Sequence, residues 1–309
     1  MNAEPSAAAD AQDCTGTATT HAPPDRTAPH RVGLFNVVEG AVNPHLPAIH
    51  RVAGGEHCDQ KNPMPTEPPI HTIGHVVIVI PACNEAATIG ACLESIDAAR
   101  HELPASVSTS VVVAADSCTD ATETIALTAL ARHTRDQVLR LNVRSAGAAR
   151  RIGTDAALAN LEAVDERVWV ANTDADTTVD VDWLVAHTRL AESGVVGVAG
   201  MVDLCGPGVV DHGLQDRFET TYTASADGTH PHVHGANLGF RADAYRTVGG
   251  WNPLVTGEDH DLWIRLKKHG AVVSTTELCV HTSARTTGRA PDGFASDLRL
   301  LTAVESTVA

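Results

Sequence analysis

The chain has 309 residues, 43% of them apolar and 19% charged, with a net charge of −16 from 22 Lys and Arg against 38 Asp and Glu. That is enough apolar material for a sizeable core, in one large domain or two small ones. The acidic balance excludes a nucleic-acid surface or an anionic membrane face as the main partner, because both are gripped by clustered Lys and Arg; a local basic pocket for phosphates stays open. Seven cysteines, scattered and without a CxxC pair, read as core residues or free thiols in a reducing compartment. No apolar run approaches the roughly 18 residues that span a bilayer. The start, MNAEPSAAADAQDC, lacks a basic and then apolar leader. The expectation is a cytoplasmic protein, with peripheral contact at a membrane surface left open.

Residues 1–72 are rich in Ala, Thr, His and Pro, punctuated by Pro23-Pro24, Pro63, Pro65 and Pro68-Pro69. They read as a disordered or loosely docked extension, in which Val32 to Val38 is the one segment with strand character. From residue 73 to 309 strands and helices alternate. HVVIVI (75–80) is a continuous β-branched run, the pattern of a strand covered on both faces. Ile89, Cys92, Leu93 and Ile96 then follow helical spacing. SVVVAA (110–115) predicts a second strand ending at Asp116, with a helix from about Asp120. QVLRL (137–141) predicts a third strand, followed by a helix with Ala149, Ile152, Ala156 and Ala159 on one side. RVWVA (167–171) predicts a fourth strand, ending at TDAD, and then come a helix over 183–191 and a strand over 195–201. The second half is less regular: a helix ending at Gly249-Gly250, another from about Glu258 to His269, and a strand at 272–275. This alternation predicts a three-layer α/β/α domain around a mostly parallel sheet, whose ligands sit beyond the carboxyl ends of the strands.

Acidic residues stand at those ends. Asp174 and Asp176, two apart after a buried strand, point to the same side. Such a pair suits Mg²⁺ or Mn²⁺ carrying a diphosphate, or is an Asp-rich turn. Asp116 either accepts from a nucleoside or belongs to a helix cap formed by its neighbours. Glu258 and Asp259 open an amphipathic helix, where they favour its dipole or supply a general base. His230, His232 and His234 would share one face if extended, for zinc or for a sugar acceptor. GxGxxG after a strand, GxxxxGK[ST] and GxSxG are all missing, which disfavours dinucleotide oxidoreductases, P-loop NTPases and α/β-hydrolases.

Taken together, IPACNEAATIG, DSCTD, GAARRIG, TDADT, GANLGFR, VGGW and GEDHDLWIRL resemble, in order and spacing, family 2 of the GT-A-fold glycosyltransferases over roughly residues 75–290. The resemblance implies the GT-A fold and a metal-dependent transfer of a sugar from a nucleotide-diphosphate sugar to an acceptor hydroxyl, with inversion. It implies donor contacts at Pro81, Ala82, Asn84, Glu85, Asp116, Arg150, Asp174 and Ala175. Mn²⁺ or Mg²⁺ is expected on Asp174 and Asp176, with His281 as a third ligand. The acceptor wall is expected at His234, Gly235, Ala236 and Asn237, and the catalytic acids at Glu258 and Asp259, with Asp259 as the base. Arg285 and Arg289 are the nearby cations for a leaving diphosphate. Two departures concern the donor side: Arg151 replaces a common Asn, and Ser117 a common Gly. The rival readings are a sugar-phosphate nucleotidyltransferase and a non-catalytic nucleotide-sugar-binding relative. Donor sugar, nucleobase and acceptor are unassigned, and a homodimer is left open.

Overall fold

The β-branched run after Gly74 becomes β1 (His75–Ala82), and its continuous apolar character has the expected cause. Val77 and Val79 join the core on one side of the sheet, while the alternate residues Val76, Ile78 and Ile80 are equally buried on the other. The structure is a computed structural model that describes residues 72–204, 212–286, 288 and 293–303. The expected N-terminal extension, apart from residue 72, lies outside the described residues, as does Arg289.

The chain continues as α1 (Ile89–His101), β2 (Ser108–Asp116), α2 (Thr122–Leu130), β3 (Gln137–Leu141), α3 (Ala146–Ala159) and β4 (Val168–Asn172). Then come β5 (Thr177–Val179), α4 (Trp183–Glu192), β6 (Gly197–Leu204) and α5 (His212–Thr221). β7 (Leu238–Arg241), α6 (Ala242–Thr247), α7 (Glu258–His269), β8 (Val272–Thr282) and α8 (Phe294–Ala303) complete it. The eight strands form one sheet in the order β3-β2-β1-β4-β7-β6-β8-β5. β1, β2, β3 and β4 run parallel to one another, and β6 is parallel to β8; β7 pairs antiparallel with both β4 and β6, and β5 antiparallel with β8. The α/β class and the mostly parallel sheet are therefore as expected. No helix among the described residues is long and apolar enough to cross a membrane.

One predicted helix face needs correction. The buried side of α3 is Gly147, Ala149, Arg150, Gly153, Thr154, Ala157 and Leu158, not the stripe through Ile152, Ala156 and Ala159. α3 lies close on β1 and β2: a Cβ added at Gly153 would stand 3.1 Å from Val79 Cγ1. Small residues fill that contact, so apolarity misreads the face. Of the described cysteines, Cys92, Cys118 and Cys279 are free thiols.

Candidate active site

The parallel strands β1, β2 and β4 end on one edge, and a cleft of about 440 Å³ opens beyond it. Three loop residues near this edge adopt left-handed backbone without being glycine: Asn84 (φ 55°), Ser117 (φ 56°) and Arg144 (φ 53°). They follow β1, β2 and β3 in turn. Such conformations cost free energy and persist where surrounding contacts hold them. Asn84 Oδ1 accepts from the Thr119 backbone N–H at 2.7 Å and from its hydroxyl at 3.2 Å, tying the first loop to the second. That contact turns Asn84 to the neighbouring loop, and it is absent from the cleft lining.

Asp116 lines the cleft and accepts from the backbone N–H groups of Val143 (2.7 Å) and Ser145 (3.0 Å) and from the Ser117 hydroxyl (3.0 Å). Burial raises its pKa, but hydrogen bonds from Arg144, Val143, Ser145 and Ser117 outweigh this and hold it below the ordinary carboxylate range. Asp120, not Asp116, serves the start of α2, accepting from the Thr122 N–H at 3.0 Å. Asp116 instead fixes the loop that leads into α3, where Ser145 caps the helix by accepting from the Ala148 N–H.

Arg150 projects from α3 into the cleft floor. One arm of its guanidinium donates to Asp174 Oδ1 at 2.5 Å and the other to Glu258 Oε1. Its carbon lies 5.7 Å from the Trp251 ring centroid, so the cation also has an aromatic neighbour. Gly235 permits this placement, since a Cβ there would fall 2.5 Å from Arg150 Cζ. Gly147 does the same for the start of α7: a Cβ would meet Glu258 Cγ at 3.0 Å. Arg151 faces away, donating to the Trp251 carbonyl at 2.7 Å.

Asp174, Ala175 and Asp176 line the cleft after β4. A second arginine stands against them: Arg285 donates to Glu85 at 2.7 and 2.9 Å and pairs with Asp176 at 3.1 Å. The Asp176 pKa is nevertheless pushed up to about 6, by burial first and then by Asp174 and Glu85, with Arg285 offsetting only part. The four carboxylates Glu85, Asp174, Asp176 and Glu258 outnumber the two guanidiniums of Arg150 and Arg285, and hard carboxylate oxygens suit Mn²⁺ or Mg²⁺. The donor set therefore fits a divalent cation. Among the described residues, no three His, Cys, Asp or Glu side chains gather to hold an ion. His281 is not brought to Asp174 and Asp176. It stands in β8 next to Thr282, which lines the cleft, so strand alternation sends its ring to the opposite face. There Nε2 lies 3.2 Å from Asp180 and Nδ1 3.6 Å from Asp203.

The same cleft is lined by His234, Gly235, Ala236, Glu258, Asp259 and His260. Glu258 and Asp259 are the first two residues of α7, which has Lys267, Lys268 and His269 in its last turn, so they also suit the helix dipole. Burial raises the Glu258 pKa, partly opposed by Arg150. Asp259 accepts from the Gly235 N–H at 2.9 Å and from the His260 N–H at 2.8 Å. Burial pushes its pKa up, but His260, His234 and Arg150 together bring it down to about 2. Asn237 is placed elsewhere: fully buried, it donates to the Met201 and Leu278 carbonyls at 2.8 and 3.2 Å and accepts from Trp183 Nε1 at 3.0 Å. Its amide is consumed by the core.

The three histidines at 230, 232 and 234 stack face to face, with centroids 5.8 and 6.5 Å apart. Stacked rings do not converge their nitrogens on one zinc. His232 also stacks on Tyr222 at 3.9 Å, and His234 meets Phe294 edge-on at 5.3 Å, which makes this flank of the cleft aromatic. Arg144, Ser145, His260 and Phe294 line the cleft and were not foreseen as site residues. Only His260 had a signal, its place inside GEDHD.

Residues 77–249, more than half of the chain, match the family described as Glycosyl transferase family 2. No curated protein matches the sequence. Among solved structures, the chain is similar to mannosyltransferase PcManGT from Pyrobaculum calidifontis in complex with GDP-Man and Mn²⁺ (TM-score 0.53, 19% identity, 79% of this chain and 65% of that one). It is also similar to S. aureus TarS 1–349 in complex with UDP-GlcNAc (TM-score 0.52, 15% identity, 76% of this chain and 67% of that one). Against the longer structure of S. aureus TarS, at 16% identity and TM-score 0.50, the match covers 76% of this chain but 40% of that one. At these identities the likeness is one of fold.

Proposed function

The chain belongs to glycosyl transferase family 2, and from that premise we propose that it moves a sugar from a nucleotide-diphosphate sugar to an acceptor hydroxyl with inversion. One observation carries the proposal: Asp116, Arg150, Asp174, Asp176 and Asp259 line the same cleft. The nucleoside lies against Asp116 and the rim at Arg144 and Ser145. Pro81, Ala82 and Glu85 border it from the β1 loop. Arg285 and Arg150 meet the negative charge of the diphosphate. Asp174 and Asp176 would hold Mn²⁺ or Mg²⁺, which when bound supplies Lewis-acid stabilisation of the departing phosphate oxygen. On the acceptor side, His234, Gly235 and Ala236 form the wall, and Asp259 is the carboxylate on which deprotonation of the acceptor depends. Attack from the face opposite the leaving group inverts the anomeric carbon. A sugar-phosphate nucleotidyltransferase would need a Gly-rich basic loop after β1, and PACNEAATIG is not one.

A thermal-shift panel of UDP- and GDP-sugars, with and without Mn²⁺, tests this, since a ligand that binds the native state stabilises it by RT ln(1+[L]/Kd). We expect one nucleotide class to raise Tm more with Mn²⁺ than without, and Asp176→Asn to remove the Mn²⁺ increment. No shift with any nucleotide sugar would defeat the proposal. Release of free nucleotide diphosphate from the best donor separates an enzyme from a binding relative.

A further inference from the structure

His260 is bound to Asp259 twice. Its backbone N–H donates to Asp259 Oδ1 at 2.8 Å, and its ring Nδ1 lies 3.1 Å from the same oxygen. An ionised carboxylate only accepts, so Nδ1 carries the hydrogen and a neutral ring presents its lone pair at Nε2. The ring is 60% exposed, lines the cleft, and has no partner for Nε2 among the described residues. Asp259, by contrast, has both oxygens engaged by N–H donors. A carboxylate beside a ring nitrogen whose other nitrogen is open to a cleft is the arrangement by which an acid orients an imidazole base.

We infer that Asp259 acts through His260: the Nε2 of the imidazole takes the proton of the attacking hydroxyl, while Asp259 fixes the ring and stabilises the imidazolium. This rests on the reading of the acceptor side given above. The O–H bond breaks with its proton passing to Nε2, and the oxygen's electron pair forms the new bond to the anomeric carbon. The bond from that carbon to the phosphate oxygen breaks, its pair leaving with the nucleotide diphosphate. The imidazolium then returns its proton to solvent from its exposed face.

The charges around the ring support this assignment. Glu258 and Asp259 face it from α7, Asp297 from α8, and His232 and His234 from the preceding segment. The hydrogen bond to Asp259 is the largest influence and raises the His260 pKa above 6.5. The same contact holds Asp259 below the ordinary carboxylate range, so of the two partners the ring binds the proton more firmly. General bases work best when their pKa lies near the working pH.

The test is nucleotide release by the full chain from whichever UDP- or GDP-sugar it hydrolyses, with water as acceptor, from about pH 5 to 9. The wild-type kcat should climb through one ionisation above 6.5 and then level. His260→Gln should remove that limb and lower kcat by about 10² to 10⁴. It should leave the donor KM, and the rise in Tm on donor binding, unchanged. Added imidazole should restore part of the rate to His260→Gly. Asp259→Asn should keep the limb, moved to lower pH, at a reduced rate. If His260→Gln retains the limb, or if a wild-type rate flat over this range falls only with Asp259→Asn, the carboxylate is the base itself and this inference fails while glycosyl transfer stands. If the wild type neither binds nor hydrolyses any donor, the reading beneath it fails too.

Discussion

Arg150 joins carboxylates that lie far apart in the chain, Asp174 at 24 residues and Glu258 at 108 residues of separation. A planar fork does this and a single ammonium does not. Arg150→Lys would leave either the partly exposed Asp174 or the buried Glu258 without its partner; on the Glu258 side, breaking a buried pair from one side costs about 3–5 kcal/mol, and on the solvent-screened Asp174 side less. The expected outcome is a large fall in urea midpoint together with loss of nucleotide release. The resemblance of GAARRIG pointed to Arg150 as a cleft residue, but not to its second arm, because nothing local in a sequence reports a contact over that separation. His281 illustrates the reverse. Its distance along the chain from Asp259 suggested the site, yet strand parity decides which way a side chain points, and one residue of register put Thr282 in the cleft instead. Asp116, Asp174, Asp176 and Asp259 stand at strand ends and a helix start, where turn and cap readings compete; only the family resemblance pointed to the single cleft that they line.

Among the elements, the sheet is sealed at its antiparallel middle by Asn237, which links α4, β6 and β8 through Trp183, Met201 and Leu278. Gly200 makes room for it: a Cβ there would fall 2.2 Å from Asn237 Nδ2. Asn237→Ala would strand an indole N–H and two carbonyls in the core, at about 1–3 kcal/mol for each group left unsatisfied. We expect a lower urea midpoint with an unchanged m value, measured by equilibrium unfolding. The parallel half, from β1 to β4, was legible almost to the residue, because long apolar runs alternate there with helical periodicity. β5 and β7 were not. They have three and four residues, and their pairing comes from distant strands rather than from any pattern of their own. The histidine triplet does share one face, as its spacing suggests, but the rings lie near parallel and His232 packs on Tyr222, so part of that face serves packing.

For the whole molecule, buried imidazoles set the acid limit. Desolvation lowers the pKa of His187 to about 3; burial, with Arg135 and Arg100, lowers His75 to about 4, and burial lowers His234 to about 4. All three stay neutral in the fold but protonate near 6.5 once unfolded. Their contribution to stability is therefore full above 6.5 and is lost as pH falls toward 4, at up to about 1.4 kcal/mol per pH unit for each. Asp176 works in the opposite direction between about 6 and its unfolded value of 3.8, being easier to protonate when folded. With these three groups against one, the urea midpoint should drop between about pH 6.5 and 4.5, and His187→Gln, leaving two against one, should soften the slope by about half. A flat profile over that interval would contradict the burial of these rings.

Under the proposed function, the left-handed residues Asn84, Ser117 and Arg144 bear on how a nucleotide would arrive. Glycine would make these corners pliable; side chains with Cβ atoms make them stiff, and hydrogen bonds from Thr119 and to Asp116 hold two of the loops in shape. A shelf already rigid before contact loses little freedom on contact. Capture on this edge is then decided by how well an incoming base and ribose match a preset contour, and analogues that need the shelf to yield should be turned away quickly.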